Sequence, residues 1–389
     1  MSANEGGTGV PPVRYSSPAD DLLVRIGRRA MACEFEICLP AAQYAEGVET
    51  ALAALDLVEQ LDGQMSVFRS GGELWRVNQT AADGPVQVEP GLFELLERAL
   101  QLGRETRGAY DITAGPLWQA WGFARRAGAV PSADEIAEAR SRVGGHLVQI
   151  DPANRTVRFL RPGVQLNLGS IGKGYAVDRC AQRLLAGGIE NFLVHGGNSS
   201  VLARGSRQGA AGVSRLACPT LPPALLDKPA VAPAGRPAVA PAVDAPEGDS
   251  PIFVGRKSGQ SPGWSVGLRD PLSMDRRLGE IWLKDRALGT SGAQFQSFRH
   301  RGRRYGHILD PRTGWPAEGV LSATVLAPTA ALADALSTAC YVLGPQAALA
   351  YCREQPELAA VIVCPGRGGG GLEIHATQPA PWSAEHTLE

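Results

Sequence analysis

The chain has 389 residues, of which 44% are hydrophobic and 20% charged, so a sizeable core is available and global disorder is excluded. Lys and Arg number 38 against 39 Asp and Glu, a formal net charge of -1, which argues against a nucleic-acid binder that relies on a general positive field. No run approaches the roughly 18–20 apolar residues of a membrane-spanning helix. The first 20 residues are polar and contain Gly and Pro, and read as a disordered lead without the apolar stretch of a secretory signal. Arg28 and Arg29 precede Cys33, but Glu34 and Glu36 follow at once, so neither a lipoprotein nor a twin-arginine start is read. A cytoplasmic protein is expected, with its seven cysteines, none in a C-x-x-C pair, kept as reduced thiols.

In chain order, a strand is expected across Met31 to Leu39 and a helix across Ala42 to Leu61, where Val48, Leu52 and Leu55 recur at helical spacing. Leu92, Leu95, Leu96, Ala99 and Leu100 mark a second helix over Gly91 to Gly103. Ser132 with Glu135 is a capping-box pattern that opens a third. Leu147 to Ile150 and Val157 to Leu160 flank a turn and read as a hairpin. Val164, Leu166 and Leu168 alternate with Gln165 and Asn167, and a helix from about Lys173 to Leu185 precedes a strand at Phe192 to Val194. Between Pro219 and Pro251 lie nine of the 29 prolines, and the run Pro229 to Ala234 recurs as Pro237 to Ala242. Such tracts lack the backbone donors for helix or ladder, so 206–250 reads as a low-complexity insertion. Strands are expected at Ile252 to Gly255, Trp264 to Leu268 and Ile281 to Lys284. Helices follow at Thr329 to Leu343, stopped by Gly344, and at Pro345 to Arg353. The last strands are placed at Ala359 to Cys364 and Leu372 to His375. Strands and helices without regular βαβ alternation give an α+β fold.

Four polar, Gly-containing segments sit at the ends of apolar elements: Gly108 to Phe123, Leu166 to Tyr175, Thr290 to Gly292 with Tyr305 to Gly314, and Ala333 to Thr338. Gly169, Gly172 and Gly174 surround Lys173 just before a helix, where backbone N–H groups and an ammonium suit a phosphate. The same glycines also suit an ordinary strand-to-helix turn, and the P-loop pattern is absent. Asp334 and Thr338 are four apart and share a helix face among apolar neighbours. A carboxylate there is costly to bury unless paired or metal-bound, and hard oxygen donors suit Mg²⁺, although Thr338 bonding back to the helix would serve structure alone. His307, three residues before Asp310, is either structural or a general acid or base. The other histidines show no zinc-ligand spacing.

Taken in order, these segments resemble the ApbE-type flavin transferases. Met31-Ala-Cys-Glu-Phe35 is similar to a Met-Gly-Thr-x-Phe run, and Ser66-Val-Phe68 with Glu73 to Asn78 is similar to the family's next motif. Tyr110 to Leu117 resembles Phe-Asp-x-Thr-x-Gly-Pro-Leu, and Gly169 to Tyr175 resembles the Gly-x-x-Lys-Gly-Tyr core. Gly196-Gly-Asn198, Thr290-Ser-Gly292, His307 to Gly314 and Asp334 to Thr338 complete the series. The resemblance spans about 25–365 apart from the insertion. It implies an ApbE-like, T-fold-related arrangement of mixed sheets and helices over 21–377, with a tail at 378–389.

The resemblance further implies transfer of the FMN moiety of FAD to a Thr or Ser hydroxyl of an acceptor flavoprotein, with Mg²⁺ at the pyrophosphate and AMP released. By position, Ser170, Asp334 and Thr338 resemble the metal set. Met31, Phe68, Ala109, Tyr110, Asp111, Asn167, Lys173 and Ile308 resemble the flavin-contacting set, and His307 is the candidate for proton transfer. Asn167 stands where relatives often carry Asp, Ala32 and Cys33 replace Gly-Thr, and Tyr110 replaces Phe. The alternative readings are a hydrolase that admits water to the same site and a non-catalytic FAD-binding protein. Partners expected are FAD and the acceptor, with no nucleic acid and no membrane span.

Overall fold

A computed structural model of the chain describes residues 22–41, 47–125, 128–207, 263–273, 275–293, 296–366, 371–378 and 383–384. The N-terminal lead, nearly all of the Pro/Ala-rich insertion and the strand expected at Ile252 to Gly255 lie outside the described residues. In chain order the elements are β1 (Leu23–Ala30), β2 (Cys33–Pro40), α1 (Gly47–Met65), α2 (Glu73–Thr80), β3 (Val86–Gln87), α3 (Pro90–Glu105), α4 (Gly115–Ala120), α5 (Ala133–Arg140), β4 (Val148–Asp151), β5 (Thr156–Phe159) and α6 (Gly172–Ala186). There follow β6 (Phe192–Gly196), β7 (Ser200–Arg204), β8 (Trp264–Arg269), β9 (Arg277–Leu283), β10 (Arg286–Gly292), β11 (Ser297–His300), β12 (Arg303–Gly306), β13 (Ser322–Ala327), α7 (Ala330–Arg353), β14 (Ala359–Pro365), β15 (Leu372–Ala376) and β16 (Ser383–Ala384).

An antiparallel eight-stranded sheet, in the order β1-β2-β6-β7-β10-β13-β14-β15, organises the molecule. Side chains alternate across each strand. Phe35, Ile37, Leu39, Val194, Ala323, Val325, Ala360 and Ile362 belong to the main core, which also takes in the buried faces of α1, α6 and α7. Cys38, Leu193, Val201, Ala203, Leu288 and Leu326 point to the other face, where Trp264, Val266, Ile281 and Leu283 of the small sheet β16-β9-β8 cover them. The α+β architecture expected from the sequence is therefore present.

Several local expectations hold in detail. Ser132 and Glu135 form the reciprocal capping box of α5, and β4 pairs with β5 as a hairpin. Two expectations need correction. The strand placed at Met31 to Leu39 is instead the second arm of a hairpin whose first arm, β1, is charged on its outer face. Met31 and Ala32 are its turn, both at positive φ (48 and 58). Helix α1 is described from Gly47 and runs on to Met65, because Val58, Leu61 and Met65 continue the buried stripe. Val164, Leu166 and Leu168 are buried as the alternation requires, but the segment joins no sheet. Apart from one isolated bridge (Ala114 with Gln165), the Asn78 amide replaces a neighbouring strand by bonding both the N–H and the C=O of Leu166.

Helix α7 is the element that most constrains the site. Thr329 caps its first turn, and the Asp178 carboxylate of α6 accepts from the N–H groups of Ala330 and Ala331 at 2.7 and 2.8 Å. Its buried face is rich in alanine, so neighbouring backbones come close: a side chain at Gly174 of α6 would fall on the Ala330 carbonyl, and one at Gly289 of β10 on the peptide between Ala333 and Asp334. The helix bends at Gly344 (φ 75), where the two segments read from the sequence meet.

Two predictions concern this packing. Gly174→Ala should lower unfolding stability by about 1–3 kcal/mol in urea titrations, since overpacking must push α6 from α7; a stability within error of the parent would contradict the contact. Burial raises the Asp178 carboxyl to about 6. The folded state then holds a proton that the unfolded state releases near pH 4, so this contribution to stability is present at low pH and is lost as pH rises toward 6. In metal-free protein, the stability difference between parent and Asp178→Asn should shift against the parent by up to about 3 kcal/mol from pH 4 to 7. A pH-independent difference would contradict it.

Candidate active site

The site is built where the start of α6, the start of α7 and the ends of β6, β7 and β10 meet. Asp334 is 5% exposed. Its Oδ2 accepts from the backbone N–H of Gly174 at 2.7 Å and its Oδ1 from the hydroxyl of Ser200 at 2.6 Å. Burial raises its pKa against the pull of Lys173 and these two donors. A carboxylate so placed gains from a cation nearby. One turn on, the Ser291 hydroxyl of β10 lies 2.8 Å from that of Ser337 and 3.0 Å from that of Thr338, and both Ser337 and Thr338 donate back to the Asp334 carbonyl. Asp334 and Thr338 thus share a face, as their spacing requires, and that face carries oxygen donors.

The glycine turn supplies the second wall. Asn167 donates its N–H to the Ile112 carbonyl, which holds the turn against the Ala109 to Ile112 segment, and its Oδ1 accepts from Gly169 N–H at 2.8 Å. Ser170 lies beside the phenol of Tyr110, a side chain only 1% exposed. Burial raises that phenol, with Asp111 and Asp334 adding to the shift. Ala109 is buried alongside. Both oxygens of Asp111 are engaged by the loop: Oδ1 accepts from Thr113 N–H and hydroxyl, and Oδ2 from Gly145 N–H. Asp111 therefore holds the 144–145 loop in place.

Lys173 reaches into the space between these walls. It acts electrostatically on Asp334, on Cys33 and on His307, and its stem passes near Gly197. Gly197 (φ 59) leaves no room for a side chain against Cys33. The Met31 turn, the Gly196 to Asn198 turn and Lys173 therefore form one corner, and burial lifts the Cys33 thiol. His307 projects from the residue after β12. Its N–H and Nδ1 both lie against the Gln296 carbonyl, at 3.1 and 3.0 Å. A carbonyl only accepts, so Nδ1 carries the proton and the neutral ring leaves Nε2 with a free lone pair. Burial, aided by Lys173, lowers the His307 pKa, which keeps that form at neutral pH. Ile308 turns inward to the core. Phe68, 69% exposed, and Asn167 line a cavity of about 160 Å³ with Gly115, Trp118 and Gln165.

The structure thus brings Ser170, Tyr110, Lys173, Asp334, Thr338 and His307 around one locus, while Phe68 and Asn167 border a cavity beside it. Sequence reasoning missed Ser200, Ser337 and Asp178. Ser200 was legible only as the residue two beyond a Gly-Gly-Asn turn, and Asp178 only as a polar position inside α6. Among the described residues no three His, Cys, Asp or Glu side chains group as metal ligands. The available donors are one carboxylate with hydroxyl and carbonyl oxygens. That set fits Mg²⁺, which takes few protein carboxylates and completes its shell with water and phosphate oxygen, and it does not fit zinc. No helix among the described residues is long and apolar enough to cross a membrane.

The chain is similar in sequence and in fold to proteins already known. The chain is 30% identical over 336 residues to an FAD:protein FMN transferase of Treponema pallidum, covering 84% of this chain and 80% of the relative. It is 27% identical to one of Haemophilus influenzae, covering 75% and 72%. Among solved structures, the ApbE protein of Thermotoga maritima superposes with a TM-score of 0.70 at 27% identity, covering 91% of this chain and 97% of that one. The flavin transferase ApbE of Vibrio cholerae does so at 0.69 and 25%, covering 92% and 97%. The profile of the ApbE family matches residues 31–220 and 248–362. With the site assembled in the order its motifs follow, the chain belongs to the ApbE family.

Proposed function

We propose that this protein transfers the FMN moiety of FAD to a Ser or Thr hydroxyl of an acceptor protein and releases AMP. The observation that carries the reading is the buried Asp334 carboxylate held by the first turn of α6, with Lys173 of that turn acting on both Asp334 and His307. The names of the relatives support the same activity. Ser170, Asp334 and Thr338 would hold Mg²⁺. Bound there, the ion would neutralise charge on a pyrophosphate and on the oxygen that leaves it.

The residues of the chain supply the rest. The Lys173 ammonium, next to the first N–H groups of α6, attracts phosphate oxygens. Phe68 offers an exposed aromatic face to a planar ring, and Asn167 offers amide hydrogen bonds beside it. His307 Nε2 accepts the proton of the attacking hydroxyl. That oxygen bonds to the FMN-side phosphorus, the bridging P–O bond breaks, and its electrons leave on AMP. Nδ1 donates to Gln296 throughout, which fixes the ring. Asn167 in place of an acidic residue leaves Asp334 as the carboxylate of the set, so more of the neutralising charge at the ion would come from the substrate.

The test incubates protein with FAD, Mg²⁺ and a candidate acceptor and reads the acceptor by intact mass. A gain equal to FMN supports transfer. Free FMN with an unmodified acceptor would instead show a hydrolase, and FAD that is bound but never consumed would show a binding protein. Asp334→Asn, which keeps volume and removes charge, should slow Mg²⁺-dependent FAD turnover by about 100-fold or more; parental rates would remove Asp334 from the metal set. Because the His307 pKa is lowered, the basic ring persists below the usual value of about 6.5, and the transfer rate should fall only on the acid side of it. His307→Gln should lose that acid limb along with about 10²–10⁴ in rate. A limb that survives the substitution would assign the proton transfer elsewhere.

A further inference from the structure

The hairpin of β11 and β12 carries charge in a pattern the fold does not need. Between Ser297 and Gly306 lie four arginines and a histidine and no acidic residue, in a chain whose net charge is -1. The register sets Arg299 directly opposite Arg304 and His300 opposite Arg303. Like charges placed across an antiparallel pair destabilise it, so the facing of Arg299 and Arg304 is a cost to the ribbon. At the tip, Arg301 (φ 49) precedes Gly302 (φ 80); the left-handed turn favours Asn or Asp at the first position, and an arginine stands there. Arg303 pairs with Glu318, and Arg304 donates to Ser297 and the Ala293 carbonyl. Arg299 and Arg301 are exposed, and neither has an ion pair among the described residues.

What the fold does need from the hairpin is its aromatic pair. Phe298 and Tyr305 lie opposite one another and stack at 5.4 Å. They pack on Trp121, and Phe298 also meets Phe123. This fixes the ribbon as an arm whose opposite face carries Arg299 and Arg304, with Arg301 at its tip. The arm is closed at its base by His307, whose N–H and Nδ1 bond the carbonyl of Gln296, the residue just before β11. At about 3.3 Å per residue, a segment of four residues lying along the arm spans its length and ends beside His307.

We infer that this arm is the docking surface for an acidic segment of the acceptor polypeptide, which seats the receiving hydroxyl at His307. The inference rests on the transferase reading and adds to it the chemical class of the acceptor. Carboxylates laid on the arm relieve the repulsion between facing cations and give Arg299 and Arg301 the partners the fold leaves out.

The test uses the full chain and two fluorescent peptides of about 15 residues, each centred on one Thr, one flanked by Asp and Glu and the other by Gln and Ser. Fluorescence anisotropy at about 50 mM salt should show the acidic peptide binding at least about tenfold more tightly, with the difference shrinking as salt rises. Arg299→Glu with Arg301→Glu should abolish that preference. The matched reversal Arg155→Glu with Arg158→Glu, on the β4–β5 hairpin, should leave it intact. Equal binding of the two peptides, or loss with the β4–β5 reversal as well, would overturn the inference. FAD binding by the same proteins, followed by flavin fluorescence, reports on the donor side separately. If FAD is bound and the acidic peptide is not preferred, the docking surface alone fails. If FAD is not bound at all, the transferase reading fails, and the peptide preference is still decided by its own measurement.

Discussion

The structure depends on one buried carboxylate. Asp334 is withdrawn from water on a helix whose neighbours are alanines and leucine, where an isolated charge is expensive. Two donors from elements far apart in sequence make it tolerable: the N–H of Gly174 at the start of α6 and the hydroxyl of Ser200 at the start of β7. Each requires a particular approach. Gly174 must lack a side chain for α6 to touch α7, and Gly289 must lack one for β10 to run beneath it. The carboxylate and the two glycines are therefore one constraint, which fixes the distance between the Lys173 turn and the α7 hydroxyls.

That constraint explains why the site is rigid on one side. Asp178 ties the N-terminus of α7 to α6 through two backbone N–H groups, so the helix carrying Asp334 is anchored at its first turn. Asp111, carried in the sequence reading as a flavin contact, spends both oxygens on Thr113 and Gly145. Its visible work is to hold a loop. On the opposite side, His307 is held by a single carbonyl at the foot of a ribbon, and the aromatic cluster of Trp121, Phe298 and Tyr305 supplies the stiffness that hydrogen bonds do not. The two sides meet at Lys173, which acts on Asp334, Cys33 and His307 together.

Helix α7 and strand β14 were legible because each is a continuous apolar run with a local end: Thr329 as a cap, the bend at Gly344, and the polar residues after Cys364. The capping box of Ser132 and Glu135 is a local pattern with a local partner, and it formed as written. Strand β1 was not legible. Its outer positions are arginines, and only pairing with β2 makes an extended chain of that composition a strand. The segment from Val164 to Leu168 shows the reverse case: the alternation correctly gave burial, but a side-chain amide from Asn78 took the place of a neighbouring strand, and no period in sequence announces that.

By itself the sequence determined the residue types at the site and their order, since motif spacing depends on local geometry: Asp334 and Thr338 on one helix face, Lys173 among glycines at a helix start, His307 ahead of a tight turn. It also determined the α+β class, through the apolar periods of its elements. Only the tertiary structure decided which atoms meet. Ser200, Ser291 and Ser337 became neighbours of Asp334 and Thr338 because the sheet order places β7 beside β10 under α7, and hydrogen bonds between residues 134 positions apart leave no trace in local composition. The placement of like charges across the β11–β12 ribbon was decided in the same way, since register is a property of the paired strands and not of either one.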